Sequence, residues 1–232
     1  MNCFTRTLKM CGLAAGGALL MGAAGAASAA EFEVTVTNLT RGQRFTPILV
    51  ATHKAGVRLF NLGSAASPQL KTLAEEGNVG PMTALLLANP NVREVVNSGA
   101  LLSPGQSVTQ PVSTRGGFDN VSVAAMLIPT NDAFFAVNDA EGPDGSDSIT
   151  LFSPAYDAGT ERNDELCASI PGPGFVECIS PTNPSGGGGG LAPGGGEGYV
   201  HIHAGIHGVG QLNPALRDWR NPVARITIRR LP

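Results

Sequence analysis

The chain has 232 residues, of which 42% are hydrophobic, 14% are charged and 5% are aromatic, and its formal charge is −3. The 31 glycines and 17 prolines, together with so few charged residues, exclude a coiled coil or a long helical bundle. No cluster of Lys and Arg stands out, which excludes a strongly basic nucleic-acid-binding protein, and the length favours a single domain.

The first thirty residues are predicted to be a secretory signal peptide. Arg6 and Lys9 give a positive amino-terminal region, residues 11–26 form an apolar run, and Ala-Ser-Ala at 27–29 resembles a cleavage site. The apolar run is short for a membrane span, which needs ~20 residues. We therefore expect a secreted or periplasmic protein, with no integral membrane segment after cleavage of the signal.

Cleavage would leave two cysteines, Cys167 and Cys178, and would change the formal charge from −3 to −5 because Arg6 and Lys9 leave without any acid. An even number of cysteines in an oxidising compartment predicts a disulfide bond. The bond would close a loop that contains Pro-Gly-Pro-Gly at 171–174. Closing such a loop stabilises the fold by on the order of 2–3 kcal/mol in the chain-entropy model.

Patterns typical of β-strands run through the chain from residue 31 to its end. Residues 31–37 alternate apolar and polar side chains with period two, and residues 223–229 alternate again around Ile226 and Ile228. Further strands are predicted over residues 45–52, 107–113, 120–128 and 198–202. Short strands separated by turns indicate an all-β fold, an antiparallel β-sandwich with short helices in the connecting loops.

Helical patterns occupy the middle of the amino-terminal half. Residues 68–76 have Leu70, Leu73 and Ala74 at helical spacing and are followed by Gly77, which predicts a short helix. Residues 82–88 and 92–96 are predicted to continue helically.

A glycine-rich segment interrupts the carboxyl-terminal half. Residues 182–198 are mostly Gly, Pro and Ser and include five consecutive glycines at 186–190. Such runs are typical of flexible linkers. We expect a flexible loop within one domain that spans residues 31–232.

Three acidic residues are candidates for a metal site. Asp132 follows the predicted strand over 120–128, and Asp157 and Glu161 flank Gly159, at which the backbone can bend. Ca²⁺ takes six to eight oxygen ligands in flexible geometry, including carboxylates and backbone carbonyls. The pattern is compatible with a calcium site, while solvated loop acids remain the alternative.

A second acidic stretch lies between residues 138 and 147. Its acids are Asp139, Glu141, Asp144 and Asp147. The stretch lacks the spacing and the final Glu of an EF-hand loop. We expect a solvated loop here, with an auxiliary cation site as the alternative.

The histidines suggest a different metal chemistry. On a strand, His201 and His203 would point to one face, and His207 follows in the next turn. Together with His53, these imidazoles are candidates to bind Zn²⁺ or Cu²⁺. Hydrogen-bonded structural histidines remain the alternative.

Three segments together carry a family resemblance. They are residues 32–53, with Val-Thr-Asn-Leu-Thr at 36–40, residues 122–134, with Ile-Pro-Thr-Asn-Asp-Ala-Phe at 128–134, and Asp-Ala-Gly-Thr-Glu at 157–161. The chain from about residue 31 onward resembles a bacterial spondin domain, the module found in F-spondin and mindin. Animal members have an aromatic residue where this chain has Ala133 and an Asp where it has Glu161.

The resemblance implies an antiparallel β-sandwich with one Ca²⁺ at Asp132, Asp157 and Glu161. It also implies an interaction or adhesion module, not an enzyme, whose partner is an extracellular protein or glycan. In keeping with this, no Gly-x-Ser-x-Gly nucleophile motif occurs. The rival hypothesis is a zinc or copper metalloprotein or enzyme that uses His201, His203 and His207.

Overall fold

The computed structural model describes residues 31–145, 147–172, 174–184, 186–189, 192–193 and 195–231, so the predicted signal peptide lies outside the described residues. Within these ranges the chain forms two antiparallel β-sheets and three short helices, which confirms the all-β sandwich. None of the described helices is long and apolar enough to cross a membrane.

The elements follow one another in a fixed order along the chain. The strands are β1 (Glu31–Asn38), β2 (Arg44–Phe45), β3 (Leu49–His53), β4 (Val92–Asn97), β5 (Ser107–Ser113), β6 (Asn120–Ile128), β7 (Ala133–Glu141), β8 (Ser148–Ser153), β9 (Ala155–Asp157), β10 (His201–Ile202) and β11 (Ala224–Leu231). The helices are α1 (Pro68–Glu76), α2 (Gly80–Leu87) and α3 (Pro214–Arg217).

The smaller sheet pairs the two ends of the described chain. Its strand order is β5-β1-β11-β8, and β1 pairs antiparallel with β11 from Glu31↔Leu231 to Asn38↔Ala224. Alternate residues of β1 (Phe32, Val34 and Val36) are fully buried against the other sheet, as the period-two pattern predicts.

The larger sheet is buried on both faces along its central strands. Its order is β10-β9-β7-β6-β3-β4, with β2 pairing to the end of β6. One face of β6 packs on the smaller sheet, while Ala124 packs on the opposite face with residues of α1 and α2. A strand buried on both faces needs a continuous apolar run rather than an alternating one, and β6 has this run in Val-Ala-Ala-Met-Leu-Ile.

Helix α1 forms where its sequence provides a cap at each end. The Ser67 side chain accepts a hydrogen bond from the Leu70 N–H, and Pro68 begins the helix. Gly77 ends the helix in a left-handed conformation (φ +66°), and its N–H donates to the Leu73 carbonyl.

Several sequence expectations differ from the structure in this region. Residues 92–96, predicted to be helical, form strand β4 because Pro90 ends the helical continuation and the valines pair with β3. The single strand expected over 45–52 is two strands separated around Pro47, which lacks an N–H for the ladder. The strand expected over 198–202 covers only His201–Ile202.

The second acidic stretch is also corrected, since it is not simply a solvated loop. Asp139 and Glu141 belong to strand β7, and the Asp139 side chain is buried. Its carboxylate accepts hydrogen bonds from the Gly56 N–H at 3.0 Å and from the Asn120 amide at 3.0 Å. Asp139 therefore stabilises a turn of the protein backbone.

The predicted disulfide bond between Cys167 and Cys178 is confirmed. The Cα atoms of the two residues lie 5.4 Å apart, within the usual range for a disulfide. Nearby parts of the glycine-rich segment contact this loop: the Gly188 N–H donates to the carbonyls of Cys167 (2.8 Å) and Ile170 (3.0 Å).

Asn38, at the end of β1, provides a test of the fold. Its side-chain amide donates to the carbonyls of Gln43 (2.8 Å) and Leu102 (3.1 Å), and its Oδ1 accepts from the N–H of Thr40 at 2.9 Å. Asn38→Asp replaces the donor with an acceptor at a fully buried position. We expect a loss of about 3 kcal/mol or more in the free energy of unfolding, measured with urea.

The matched control for this change is Asn97→Asp. Asn97 is exposed, and its Oδ1 already accepts a hydrogen bond from the Gly99 N–H. Its replacement should change the stability by less than about 0.5 kcal/mol. Equal effects of the two substitutions would contradict the role assigned to Asn38.

Candidate metal centre

Strand pairing brings Asp132 and Asp157 together at one end of the larger sheet. Asp132 directly precedes β7, and Asp157 is the last residue of β9. The two strands are neighbours with Ala133 opposite Asp157, and the Ala158 N–H donates to the Asp132 carbonyl at 3.2 Å. Both side chains are fully buried.

The Asp132 carboxylate connects the turn before β7 to the turn after β9. Its Oδ2 accepts hydrogen bonds from the N–H of Thr160 (2.8 Å), the hydroxyl of Thr160 (3.1 Å) and the N–H of Glu161 (3.0 Å). Its Oδ1 is buried and has no hydrogen-bond partner among the described residues. One oxygen is thus held rigidly by the protein while the other is left without a donor.

Gly159 allows the turn after β9 to adopt its shape. The residue has a φ of +66°, and a Cβ atom placed on it would lie 2.3 Å from the Tyr199 carbonyl oxygen. Only glycine fits such a position without strain. The Gly159 N–H donates to Asp157 Oδ1 at 2.7 Å, and two residues later Glu161 is buried.

Glu161 lies close enough for the charge of Asp132 to act on it, and Asp132, Asp157 and Glu161 are called here the buried acidic cluster. Their possible ligand atoms do not all lie within 4.8 Å of one another. The Glu161 side chain is 3% exposed, and its Oε2 also has no hydrogen-bond partner among the described residues. Burial, together with the negative charges of Glu75 and Asp132, raises the pKa of Glu161 to about 7.

The same physical causes act on Asp132. Burial and the neighbouring Asp157 carboxylate raise the pKa of Asp132 to about 7, although its three hydrogen bonds oppose the shift. The cluster buries three carboxyl groups, and two of their oxygens have no hydrogen-bond partner among the described residues. The negative charge of the cluster is therefore not balanced. A cation with oxygen preference would balance it, so the donor chemistry fits Ca²⁺.

Glu75 is a further acid at this site that the sequence analysis did not single out. It lies on α1, is buried, and forms an ion pair with Lys71 one turn earlier. Its charge nevertheless acts on Glu161. Only the packing of α1 beside this end of the sheet brings Glu75 near the cluster, and no local sequence motif predicts that proximity.

The histidines do not form the donor set expected from the sequence. His203 Nδ1 accepts from the Gly205 N–H at 2.9 Å, so the proton lies on Nε2, which donates to Asn163 Oδ1 at 3.1 Å. Neither ring nitrogen is free to bind a metal, and burial lowers the pKa of His203. Asn163 in turn donates to Asp157 Oδ2 at 2.7 Å.

Neither of the other two candidates forms a three-ligand imidazole site with His203 among the described residues. His207 is exposed, and its backbone N–H donates to the Glu165 carboxylate. His53 pairs with Asn120 near the far end of β7, and its ring contacts the Lys54 carbonyl and the Ser122 hydroxyl. It therefore lies at the opposite end of the larger sheet from Asp157.

His201 does have acidic neighbours. It lies opposite Asp157 in the β9–β10 pair, with 3.9 Å between its Nε2 and Asp157 Oδ2. Among the described residues, possible ligand atoms of Asp157, Glu197 and His201 lie within 4.8 Å of one another. Glu197 was not a candidate in the sequence analysis, because it lies in the glycine-rich segment.

The fold and the site define an antiparallel β-sandwich with a buried acidic cluster where two turns meet. The family model described as Spondin_N matches residues 33–164, which is more than half of the chain and includes Asp132, Asp157 and Glu161. The chain therefore belongs to the Spondin_N family. A comparison with curated proteins finds no match.

The raised pKa values predict how the metal-free protein responds to pH. The ordinary pKa values of Asp132 and Glu161 are 3.8 and 4.5, and both are raised to about 7 in the folded state. At pH values between these limits, the folded state binds more protons than the unfolded state. These two groups therefore make stability fall as pH rises through this window. The lowered pKa of His203 acts in the opposite direction below about 6.5, so a comparison of variants is needed.

Asp132→Asn isolates the acidic contribution. The amide oxygen can accept the three existing hydrogen bonds, and the NH₂ group takes the position of Oδ1 without adding a negative charge. With a chelator at pH 8, we expect it to be more stable than the parent protein by at least about 1 kcal/mol, which corresponds to less than one pKa unit. The advantage should shrink by pH 5. Asp144→Asn, at an exposed position, is the control, and a less stable Asp132→Asn at pH 8 would contradict the interpretation.

Proposed function

We propose that this protein is a secreted or periplasmic, non-enzymatic interaction or adhesion module that binds Ca²⁺ through Asp132, Asp157 and Glu161. The observation that carries the proposal is a pair of buried oxygens in the acidic cluster, Asp132 Oδ1 and Glu161 Oε2, that have no hydrogen-bond partner among the described residues. Buried polar groups are almost always partnered in native proteins. The lack of partners for these two oxygens among the described residues therefore supports a bound ligand that supplies positive charge.

The donor chemistry favours calcium over other ions at this cluster. Carboxylate oxygens suit hard cations, and Ca²⁺ accepts irregular geometry more readily than Mg²⁺, which requires a near-ideal octahedron. When bound, the ion supplies positive charge that neutralises most of the three carboxylates. The protein itself provides two turns already fixed by the hydrogen bonds to Asp132 Oδ2.

Calcium would then act on the structure of the loops rather than on a reaction. The turn before β7, the turn at 157–161 and the segment at 196–198 meet here, and the Gly198 N–H donates to the Gly159 carbonyl at 2.9 Å. Their rim carries the exposed side chains of Tyr199 and Ile202. A rim ordered by an ion suits recognition of an extracellular protein or glycan, which is the partner class we propose.

The test is a thermal melt of chelator-treated protein with and without Ca²⁺. A ligand at 100 times its Kd stabilises the folded state by about 2.7 kcal/mol, which is about 5–10 °C in Tm for a domain of this size. We expect this rise in the parent protein and in the Asp144→Asn control. It should be lost in Asp132→Asn and in Glu161→Gln.

Two comparisons make the result specific. Mg²⁺ at the same concentration should give a much smaller rise in Tm than Ca²⁺, because Mg²⁺ requires near-ideal octahedral geometry and Ca²⁺ accepts irregular arrangements of oxygen ligands. A calcium response that survives both Asp132→Asn and Glu161→Gln would place the ion elsewhere and reject this site. The absence of any calcium response in a folded parent protein would reject the proposed function.

A further inference from the structure

A second set of side chains that could bind a metal lies beside the acidic cluster, at the surface. It consists of Asp157, Glu197 and His201, whose possible ligand atoms lie within 4.8 Å of one another. Asp157 is buried, whereas the His201 side chain is 29% exposed and Glu197 is exposed. This set, called here the rim site, is therefore open to solvent on one side.

The hydrogen bond of the His201 ring fixes which nitrogen is available. Nδ1 lies 3.1 Å from the Tyr199 carbonyl oxygen, which can only accept, so Nδ1 carries the proton. In the neutral ring the lone pair is then on Nε2, which faces Asp157 Oδ2 at 3.9 Å. Metal-binding histidines in proteins are oriented in this way, with the second nitrogen donating to a carbonyl or carboxylate.

An imidazole lone pair facing a carboxylate oxygen is unfavourable unless a positive charge lies between them. The distance of 3.9 Å is too long for a direct hydrogen bond. It is compatible with two ligands of one ion, since Zn–N and Zn–O bonds are each about 2.0–2.2 Å long.

The glycine-rich segment contributes Glu197, the third residue of the rim site. The Gly198 N–H donates to the Gly159 carbonyl, and a Cβ atom on Gly196 would lie 2.4 Å from the same carbonyl oxygen. Gly196 thus allows the segment to lie directly on the turn after β9, and Gly198 adopts a φ of +83°, which favours glycine. This close approach positions the Glu197 carboxylate over Asp157.

His203 has an indirect role in the rim site. Its Nε2 donates to Asn163, and Asn163 donates to Asp157 Oδ2. These bonds orient the Asp157 carboxylate, as outer partners of metal ligands do. The neighbouring imidazole that the sequence offered as a ligand is thus a positioning residue.

We propose that Asp157, Glu197 and His201 bind a divalent first-row transition-metal ion, of which Zn²⁺ is the probe of choice. One imidazole nitrogen and two carboxylate oxygens suit Zn²⁺ better than Ca²⁺, which prefers oxygen alone. Three protein ligands leave a fourth tetrahedral position to water or to an external ligand. The rim site goes beyond the proposed calcium module and shares only Asp157 with it.

Zn²⁺ titration of the metal-free protein at pH 7.5, followed by calorimetry, tests this proposal. Co²⁺ is a second probe, because its visible absorption reports tetrahedral coordination. We expect one Zn²⁺ per chain and a loss of affinity of at least about tenfold in His201→Ala and in Glu197→Gln. Even outer partners of metal ligands change affinity by about 10–100-fold. His207→Ala, which removes an exposed imidazole outside the rim site, should bind as the parent protein does.

Asp132→Asn separates this test from that of the calcium module. It should lose the calcium response and keep Zn²⁺ binding, whereas His201→Ala should keep the calcium response. Zn²⁺ binding that disappears in Asp132→Asn but survives in His201→Ala would place Zn²⁺ in the acidic cluster and overturn the rim site.

Two further outcomes would overturn the proposal. One is the absence of stoichiometric Zn²⁺ binding in the parent protein. The other is a His201→Ala protein that is less stable than the parent yet binds Zn²⁺ equally well, which would mean that His201 and Asp157 form an ion pair only.

Discussion

The buried carboxylate of Asp132 is the constraint around which this end of the protein is arranged. One of its oxygens accepts three hydrogen bonds from Thr160 and Glu161, while the other is buried and has no donor among the residues that the structure describes. The first oxygen fixes the turn after β9, and the second carries an electrostatic cost that a proton or a cation must relieve. The stability of the turn and the proposed affinity for an ion would therefore both depend on the same side chain.

The rest of the architecture supports that arrangement. Strand β6 is buried on both faces, so β7 and β9 are aligned against a rigid centre. Pairing of Ala133 with Asp157, and of Asp157 with His201, places ligands from three chain segments side by side. Glycines at 159 and 196 then permit backbones to approach more closely than any side chain would allow.

The two proposed metal sites share Asp157. The acidic cluster offers only oxygen atoms and lies inside the family match, whereas Glu197 and His201 lie beyond residue 164, outside it. The oxygen donors of the proposed calcium site thus lie in the part of the chain that the family model matches, and the imidazole of the proposed rim site lies in the later segment. The two sites also differ in solvent exposure, since the acidic cluster is buried and the rim site is open to solvent on one side.

The sequence by itself determined the local features: helix α1 with its stop at Gly77, the alternation of β1, the apolar run of β6 and the cysteine pair. Through the family resemblance it also singled out the three acids as candidates. It misplaced β4 because valines beside a short helix satisfy either pattern, and it missed β7 because polar Asn138–Glu141 follow its apolar half. Only the tertiary structure brought Glu75, Glu197 and His201 to the site and left His53 at the far end of the sheet. Those contacts join residues far apart in sequence, and their partners are chosen by strand pairing and close glycine packing, which no local pattern records.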